Sequence, residues 1–307
     1  MFSEVYSKYK NIIEENLIKY LPEVDRHAEF LESSMKYSLD AGGKRLRPVL
    51  LMAACEICGG NLQDALPFAC AIEYIHTYSL IHDDHPSIDN DELRRGKPTN
   101  HTVFGDDMAI LAGDGLLNSA MDLMIAEVVK DLTPAKARAM QEITKAAGTS
   151  GMIAGQTTDV LMTGSQSRKG FLEKEKNGLS DADEVLEFIH RNKTGALIRA
   201  AVRAGAILAG AEEKVLSAMT EYAENLGLTF QIVDDILDIV GDEAVIGKKV
   251  GADLALGKMT YPAVYGLDAS YEKAAEVTDK AVRALENAGI EADFLSKLAI
   301  DLSKRIS

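Results

Sequence analysis

The chain has 307 residues, 47% of them hydrophobic and 26% charged, a globular balance that excludes a disordered polymer and leaves enough chain to bury a sizeable core. Its net charge of -15 has the wrong sign for general binding to nucleic acid or to an anionic membrane surface. No run reaches the roughly 18 uninterrupted apolar residues of a spanning helix. Glu4, Lys8, Lys10, Glu14 and Glu15 interrupt the N-terminal region where a signal peptide would need an apolar stretch, so the expected location is cytoplasmic.

Apolar residues recur at three- and four-residue spacings along most of the sequence, as in Val215, Met219, Tyr222, Leu226 and Phe230, and strand-like alternation is nearly absent. The expectation is an all-α chain in a single domain over 1–307. The spacing predicts helices over 3–20, 26–40, 46–58, 62–84, 105–130, 134–148, 150–163, 182–208, 212–240, 260–268, 271–288 and 291–304. Cys55, Cys58 and Cys70 are an odd set in a long chain. Cys55 and Cys58 lie in the apolar run LLMAACEICGG with no second pair at zinc spacing, so they read as buried thiols. Met108, Met121 and Met124 read as core, His27 and His190 as helix-surface residues, and His101 as a residue that orders its loop.

In chain order, the first polar constellation is GGKRLRP at 42–48, where glycines end one helix and Lys44, Arg45 and Arg47 open the next. By itself this fits a helix cap with solvated cations as well as an anion site. Next comes IHDDHPSIDNDELRRGKPTNH at 81–101. On a regular helix Asp89 would point about 240° away from Asp83. Pro86 disfavours helical geometry at His85, which predicts a turn that folds Asp89 back beside Asp83 and Asp84. Arg94, Arg95 and Lys97 follow at once.

The second acidic cluster is FQIVDDILDIVGDEAVIGKKVGAD at 230–253. Asp234 and Asp238 are four residues apart, so both face one side of a helix with Asp235 beside them. The intervening Ile232, Val233, Ile236, Leu237, Ile239 and Val240 mark that helix as largely buried, and carboxylates there are costly unless cations accompany them. Such carboxylates are hard oxygen ligands, and Mg²⁺ characteristically takes one or two of them together with water and phosphate oxygens. Arginines offer forked donors for the same phosphates. An EF-hand loop cannot be aligned, and Gly241 to Gly247-Lys248 misses the P-loop spacing by one residue, with Lys249 where Ser or Thr belongs.

Taken in order, GGKRLRP (42–48), HTYSLIHDD (76–84), LRRGKPTNH (93–101), GQTTD (155–159), NKTGAL (192–197), FQIVDDILD (230–238), GKKVGAD (247–253) and KMTYP (258–262) resemble the trans-type polyprenyl diphosphate synthases, most closely the bacterial farnesyl diphosphate synthases. The resemblance covers essentially the whole chain. It implies an isoprenoid-synthase helical bundle around a deep central cavity, working as a homodimer.

It also implies that Asp83, Asp84, Asp89 and Asp234 hold Mg²⁺, expected as three ions with the allylic diphosphate, supported by Asp235 and Asp238. Arg94, Lys193, Thr194, Gln231, Lys248 and Lys258 would bind the allylic substrate, dimethylallyl or geranyl diphosphate. Lys44, Arg47, His76 and Arg95 would hold isopentenyl diphosphate, and Thr194 and Gln231 would turn oxygen dipoles toward the allylic cation. Tyr78 and Ser79, five and four residues before Asp83, would set product length, with farnesyl diphosphate expected and geranylgeranyl diphosphate the alternative. A non-catalytic partner subunit would characteristically lose aspartates that this chain retains. A terpene cyclase would lack GGKRLRP. The sequence departs from the family pattern at His85, usually an apolar residue, at Glu92, commonly aspartate, and in its ending KRIS, which lacks a fully basic tail.

Overall fold

The computed structural model describes residues 2–163, 182–241, 251 and 257–304. They are helical apart from one two-stranded ladder and the connecting turns. The chain forms two compact units, Met1–Ile143 with Ala201–Ala211, and Thr144–Ala200 with Glu212–Ser307.

In the first unit, α1 (Phe2–Leu17), α2 (Glu29–Leu39) and α3 (Leu46–Ile57) precede α4 (Leu62–Asp83). Asn61 caps α4 by accepting from the Gln63 amide at 3.0 Å, satisfying one of the amides a helix start leaves unpaired. Phe68, Ile72, Tyr74 and Ile75 are fully buried on several sides of α4, as expected of a helix that is apolar all round. Each such side chain stabilises the fold by about 1.5–3 kcal/mol. The buried Tyr74 hydroxyl donates to the Leu17 carbonyl.

The start of α3 depends on Arg45, which has a left-handed backbone at φ 54. That conformation costs a non-glycine residue about 1–2 kcal/mol. Its guanidinium is buried and offsets the strain by pairing with Glu14 at 2.9 Å and Glu73 at 2.8 Å and by donating to the Leu39 carbonyl. Arg45 therefore shapes the loop that presents Lys44 and Arg47.

A two-residue hairpin joins β1 (Leu93–Arg94) to β2 (Lys97–Pro98). Arg95 and Gly96 occupy its corner at φ 55 and 75, the positive pair that a tight hairpin requires. The Thr99 amide donates to the Glu92 carbonyl at 3.0 Å and the Thr99 hydroxyl to the Asp91 carbonyl at 2.7 Å, closing the loop. A short α5 (Asn100–Phe104), absent from the sequence expectation, leads into α6 (Asp106–Lys130). Among the described helices α6 alone is long and apolar enough to cross a membrane. It packs along α4 and α2 and carries Asp114 and Asp122 on its exposed side. The chain continues into α7 (Pro134–Ala147).

The second unit contains α8 (Met152–Thr163), α9 (Ala182–Ile189), a π-helical turn (His190–Gly195) leading into the first residues of α10 (Ala196–Leu208), which belongs to the first unit from Ala201 on, then α11 (Glu213–Val240), α12 (Tyr261–Tyr265), α13 (Leu267–Ala288) and α14 (Asp293–Ser303). Ile232, Val233 and Ile236 of α11 pack against Ala274 and Val277 of α13. The buried Tyr222 hydroxyl donates to the Leu295 carbonyl at 2.8 Å. The helix expected over 182–208 is interrupted by the π turn, and Gly266 at φ 86 separates α12 from α13.

Two glycines fit the π turn into place. A Cβ on Gly155 of α8 would lie 2.7 Å from the Lys193 Cα, and one on Gly227 of α11 would lie 3.0 Å from the Gly195 Cα. Both helices thus approach the turn to backbone contact, which no larger residue permits.

Candidate active site

Within the first unit, the α4 helix ends at Asp83, and the Asp89 amide donates to the Asp83 carbonyl at 2.9 Å while the Asp91 amide donates to the Asp84 carbonyl at 3.1 Å. Pro86 thus produces the backward turn that the sequence predicts. Asp84 is buried, and burial raises its carboxyl pKa from the ordinary value while Arg94 opposes the shift. Arg94 Nε donates to both Asp84 oxygens, at 2.8 and 2.7 Å. Asp84 and Arg94, expected to serve metal and diphosphate respectively, are paired with each other here. His85 is buried, and its Nδ1 accepts from the Ser87 amide at 3.1 Å.

Two turns before Asp83 on α4 stands His76. Arg47 Nη1 lies 3.3 Å from its Nε2. Arginine has no acceptor, so Nε2 accepts and the imidazole is neutral with its proton on Nδ1. Burial, then the charges of Arg47 and Arg95, hold the His76 pKa well below the usual histidine value. Burial also pushes Arg47 down to about 10, and its Nε is buried without a hydrogen-bond partner. The Arg95 guanidinium packs on the glycine turn and donates to the Gly42 carbonyl. Lys44 is exposed beside that turn, its carbonyl accepting from the Tyr6 hydroxyl at 2.6 Å. Cations are crowded here at an electrostatic cost that a bound anion would relieve.

Tyr78 is 6% exposed, with its ring edge-on to His82, and burial followed by the Asp83 charge pushes its hydroxyl up to about 12. The Ser79 hydroxyl donates to the His76 carbonyl at 2.8 Å.

In the second unit, Lys193 Nζ lies 2.5 Å from Asp159 Oδ2, the Thr194 hydroxyl donates to Gln231 Oε1 at 2.6 Å, and Gln231 Nε2 donates to Asp235 Oδ1 at 2.8 Å. The Tyr261 amide donates to the other oxygen of Asp235 at 2.8 Å, anchoring the segment that carries Lys258. Asp235 and Asp238 are buried and Asp234 is half-buried. Both polar ends of the Gln156 amide are buried without a partner. Lys248 lies outside the described residues.

Two residues to which sequence reasoning gave no site role, Asp159 and His190, emerge here, together with Arg45, which the sequence shows only as one cation of the glycine loop. Asp159 holds Lys193, Arg45 shapes the glycine loop, and His190, expected on a helix surface, is 3% exposed with Nε2 3.3 Å from Asp235 Oδ2. His190 is buried because the π turn faces it toward Asp235, which supplies the polar partner that an interior imidazole needs. An aspartate ending GQTTD one helix before a lysine motif was the available signal for Asp159.

Among the described residues no three His, Cys, Asp or Glu side chains converge as an all-protein metal cage. The donor set of carboxylates beside cations suits Mg²⁺ whose shell is completed by water and phosphate. Cys55 and Cys70 are buried, Cys58 is half-buried, and all three are free; burial raises each thiol, Cys55 to about 12, which leaves them unreactive.

Residues 28–294 match the polyprenyl synthetase family model. The farnesyl diphosphate synthase of Geobacillus stearothermophilus is 46% identical over 94% of this chain and 93% of its own. The geranylgeranyl diphosphate synthase of Cyanophora paradoxa is 44% identical over 89% and 86%. A geranyltransferase structure from Legionella pneumophila superposes with a TM-score of 0.83 at 32% identity, covering 100% of this chain and 97% of that one. The aspartate-rich turn, the glycine-loop cations and the π-turn motif therefore sit in a chain that belongs to the polyprenyl synthetase family.

Proposed function

We propose that this chain condenses isopentenyl diphosphate head to tail with dimethylallyl and then geranyl diphosphate, yielding farnesyl diphosphate. The observation that carries the reading is the cation cluster of Arg47 and Arg95 around a neutral His76, with Arg47 Nε buried and unpartnered, a preformed place for a diphosphate. Relatives carry both farnesyl and geranylgeranyl names, and the bulk of Tyr78 before Asp83 favours the shorter product.

In this reading Lys44, Arg47, His76 and Arg95 bind isopentenyl diphosphate. Arg94, Lys193, Lys248 and Lys258 bind the allylic diphosphate, and Asp83, Asp84, Asp89 and Asp234 hold Mg²⁺, with Asp238 supporting them. Magnesium, when bound, neutralises the charge that gathers on the departing diphosphate. The allylic C–O bond breaks with its electron pair going to the diphosphate oxygen. The isopentenyl double bond then attacks the allylic carbon, and the resulting cation loses a proton to the released diphosphate. Thr194 and Gln231 present oxygens to the developing positive charge, a contribution that grows in the transition state.

In this reading the enzyme works in the cytosol as a homodimer, and the exposed Ile110, Leu111, Ile125 and Val129 of α6 support that helix as the seam. A single 33.2 kDa species in sedimentation at micromolar concentration would overturn the dimer. Labelled isopentenyl diphosphate with dimethylallyl diphosphate should give a fifteen-carbon product. The activity should be lost with EDTA, restored by Mg²⁺, and reduced by about three orders of magnitude in Asp83→Ala or Asp234→Ala. A twenty-carbon product would make it a geranylgeranyl synthase, and turnover without divalent metal would remove the mechanism.

A further inference from the structure

We propose that His190 is a positioning residue and that Asp235 is its relay to the reacting centre, not a magnesium ligand; the inference rests on the prenyl-transfer reading above. His190 and Thr194 are one turn apart on the π turn, and Asp235 and Gln231 are one turn apart on α11. They face each other as two rungs, Thr194 with Gln231 at 2.6 Å and His190 with Asp235 at 3.3 Å, joined by the 2.8 Å bond from Gln231 to Asp235.

The direction of each bond follows from the chemistry of the groups. A carboxylate only accepts, so Gln231 must turn its NH₂ toward Asp235, which leaves Oε1 on the Thr194 side. Thr194 has one hydroxyl hydrogen and spends it on Oε1. The lone pairs of its oxygen are then directed away from Gln231 and are available to a positive charge. Reversing the Gln231 amide would turn an NH₂ toward Thr194 and reverse that polarity.

Asp235 is fixed in turn. Oδ1 takes the Gln231 bond, while Oδ2 takes the Tyr261 amide at 2.8 Å and the approach of His190. The Tyr261 ring stacks on the imidazole with 20° between planes, so both partners of Oδ2 support one another. At 3% exposure and with three neighbours engaging its two oxygens, Asp235 has its acceptor capacity directed into the protein.

The test exploits reach. In His190→Gln the side-chain amide can approach Asp235 as Nε2 does, whereas in His190→Asn it is too short. The expected result is a kcat within about threefold of wild type for His190→Gln and lowered about thirtyfold for His190→Asn, with KM for isopentenyl diphosphate within about twofold in both. On a Gln231→Ala background, His190→Asn should lower kcat by less than about twofold further, because the two act through one network. In metal-free protein, hydrogen exchange at the Tyr261 amide should be about tenfold faster in His190→Asn and unchanged in His190→Gln. Equal kcat and equal exchange in the two variants, or independent additive losses with Gln231→Ala, would overturn the proposal. Wild-type protein that fails to condense the substrates would instead remove the functional reading, leaving the exchange measurement to judge the network.

Discussion

The guanidinium of Arg95 occupies the space that a side chain on Gly43 would need: a Cβ there would lie 2.6 Å from Arg95 Cζ and 2.8 Å from Nη2. Gly43 also has φ 138, outside the range L side chains favour. Gly43→Ala therefore displaces a cation assigned to isopentenyl diphosphate. The expected outcome is a KM for that substrate raised tenfold or more, with KM for geranyl diphosphate changed far less; steady-state kinetics varying each substrate separately will show the split.

A second close approach concerns the π turn. Gly155→Ala would push α8 against the Lys193 backbone, where the atoms to be moved are main chain and cannot yield like a flexible side chain. Stability should fall by about 1–3 kcal/mol, the usual cost of overpacking, read as a lower urea midpoint. Turnover should fall more than substrate affinity, because Lys193 and Thr194 shift together.

These two contacts show where sequence reasoning stops. Apolar periodicity gives the helices with ends within a few residues, and Pro86 gives the turn that brings Asp89 back to Asp83, because both are local consequences of backbone sterics. Residues 42–43 meet Arg95, and Asp159 meets Lys193, across more than 30 residues of chain, and nothing local encodes those distances. The π turn was invisible for a related reason: HRNKTG has ordinary helical spacing, and only packing against Gly155 and Gly227 distinguishes it. In the sequence His190 and Arg45 read as solvated, as a polar or charged residue ordinarily does, and burial beside a partner is a property of the fold.

The pH dependence of stability should carry the mark of His76. Its pKa in the folded protein is held well below 6.5, first by burial and then by Arg47 and Arg95, so the unfolded chain binds a proton more readily than the folded one. Stability from this group is therefore full above about pH 6.5 and falls as pH drops below that value toward the folded pKa, by up to about 1.4 kcal/mol per pH unit. His76→Gln removes the titrating group, so the difference in urea midpoint between wild type and variant should shift in the variant's favour from pH 7.5 to pH 5.5. A difference that stays constant across that range would place the proton elsewhere.

Product length should respond to Tyr78. Its ring is buried, edge-on to His82, and lies five residues before Asp83, the first of the aspartates assigned to Mg²⁺. A packed interior leaves no room for another five-carbon unit where a phenol ring already stands. Tyr78→Ala removes that ring without touching Asp83 or Asp84, so the first condensation should proceed near the wild-type rate while the products move from fifteen carbons toward twenty or more. Tyr78→Phe keeps the ring and should keep the fifteen-carbon product, which separates bulk from the hydroxyl. Chromatography of radiolabelled products by chain length decides it: an unchanged distribution in folded, active Tyr78→Ala would mean that another side chain ends the elongation.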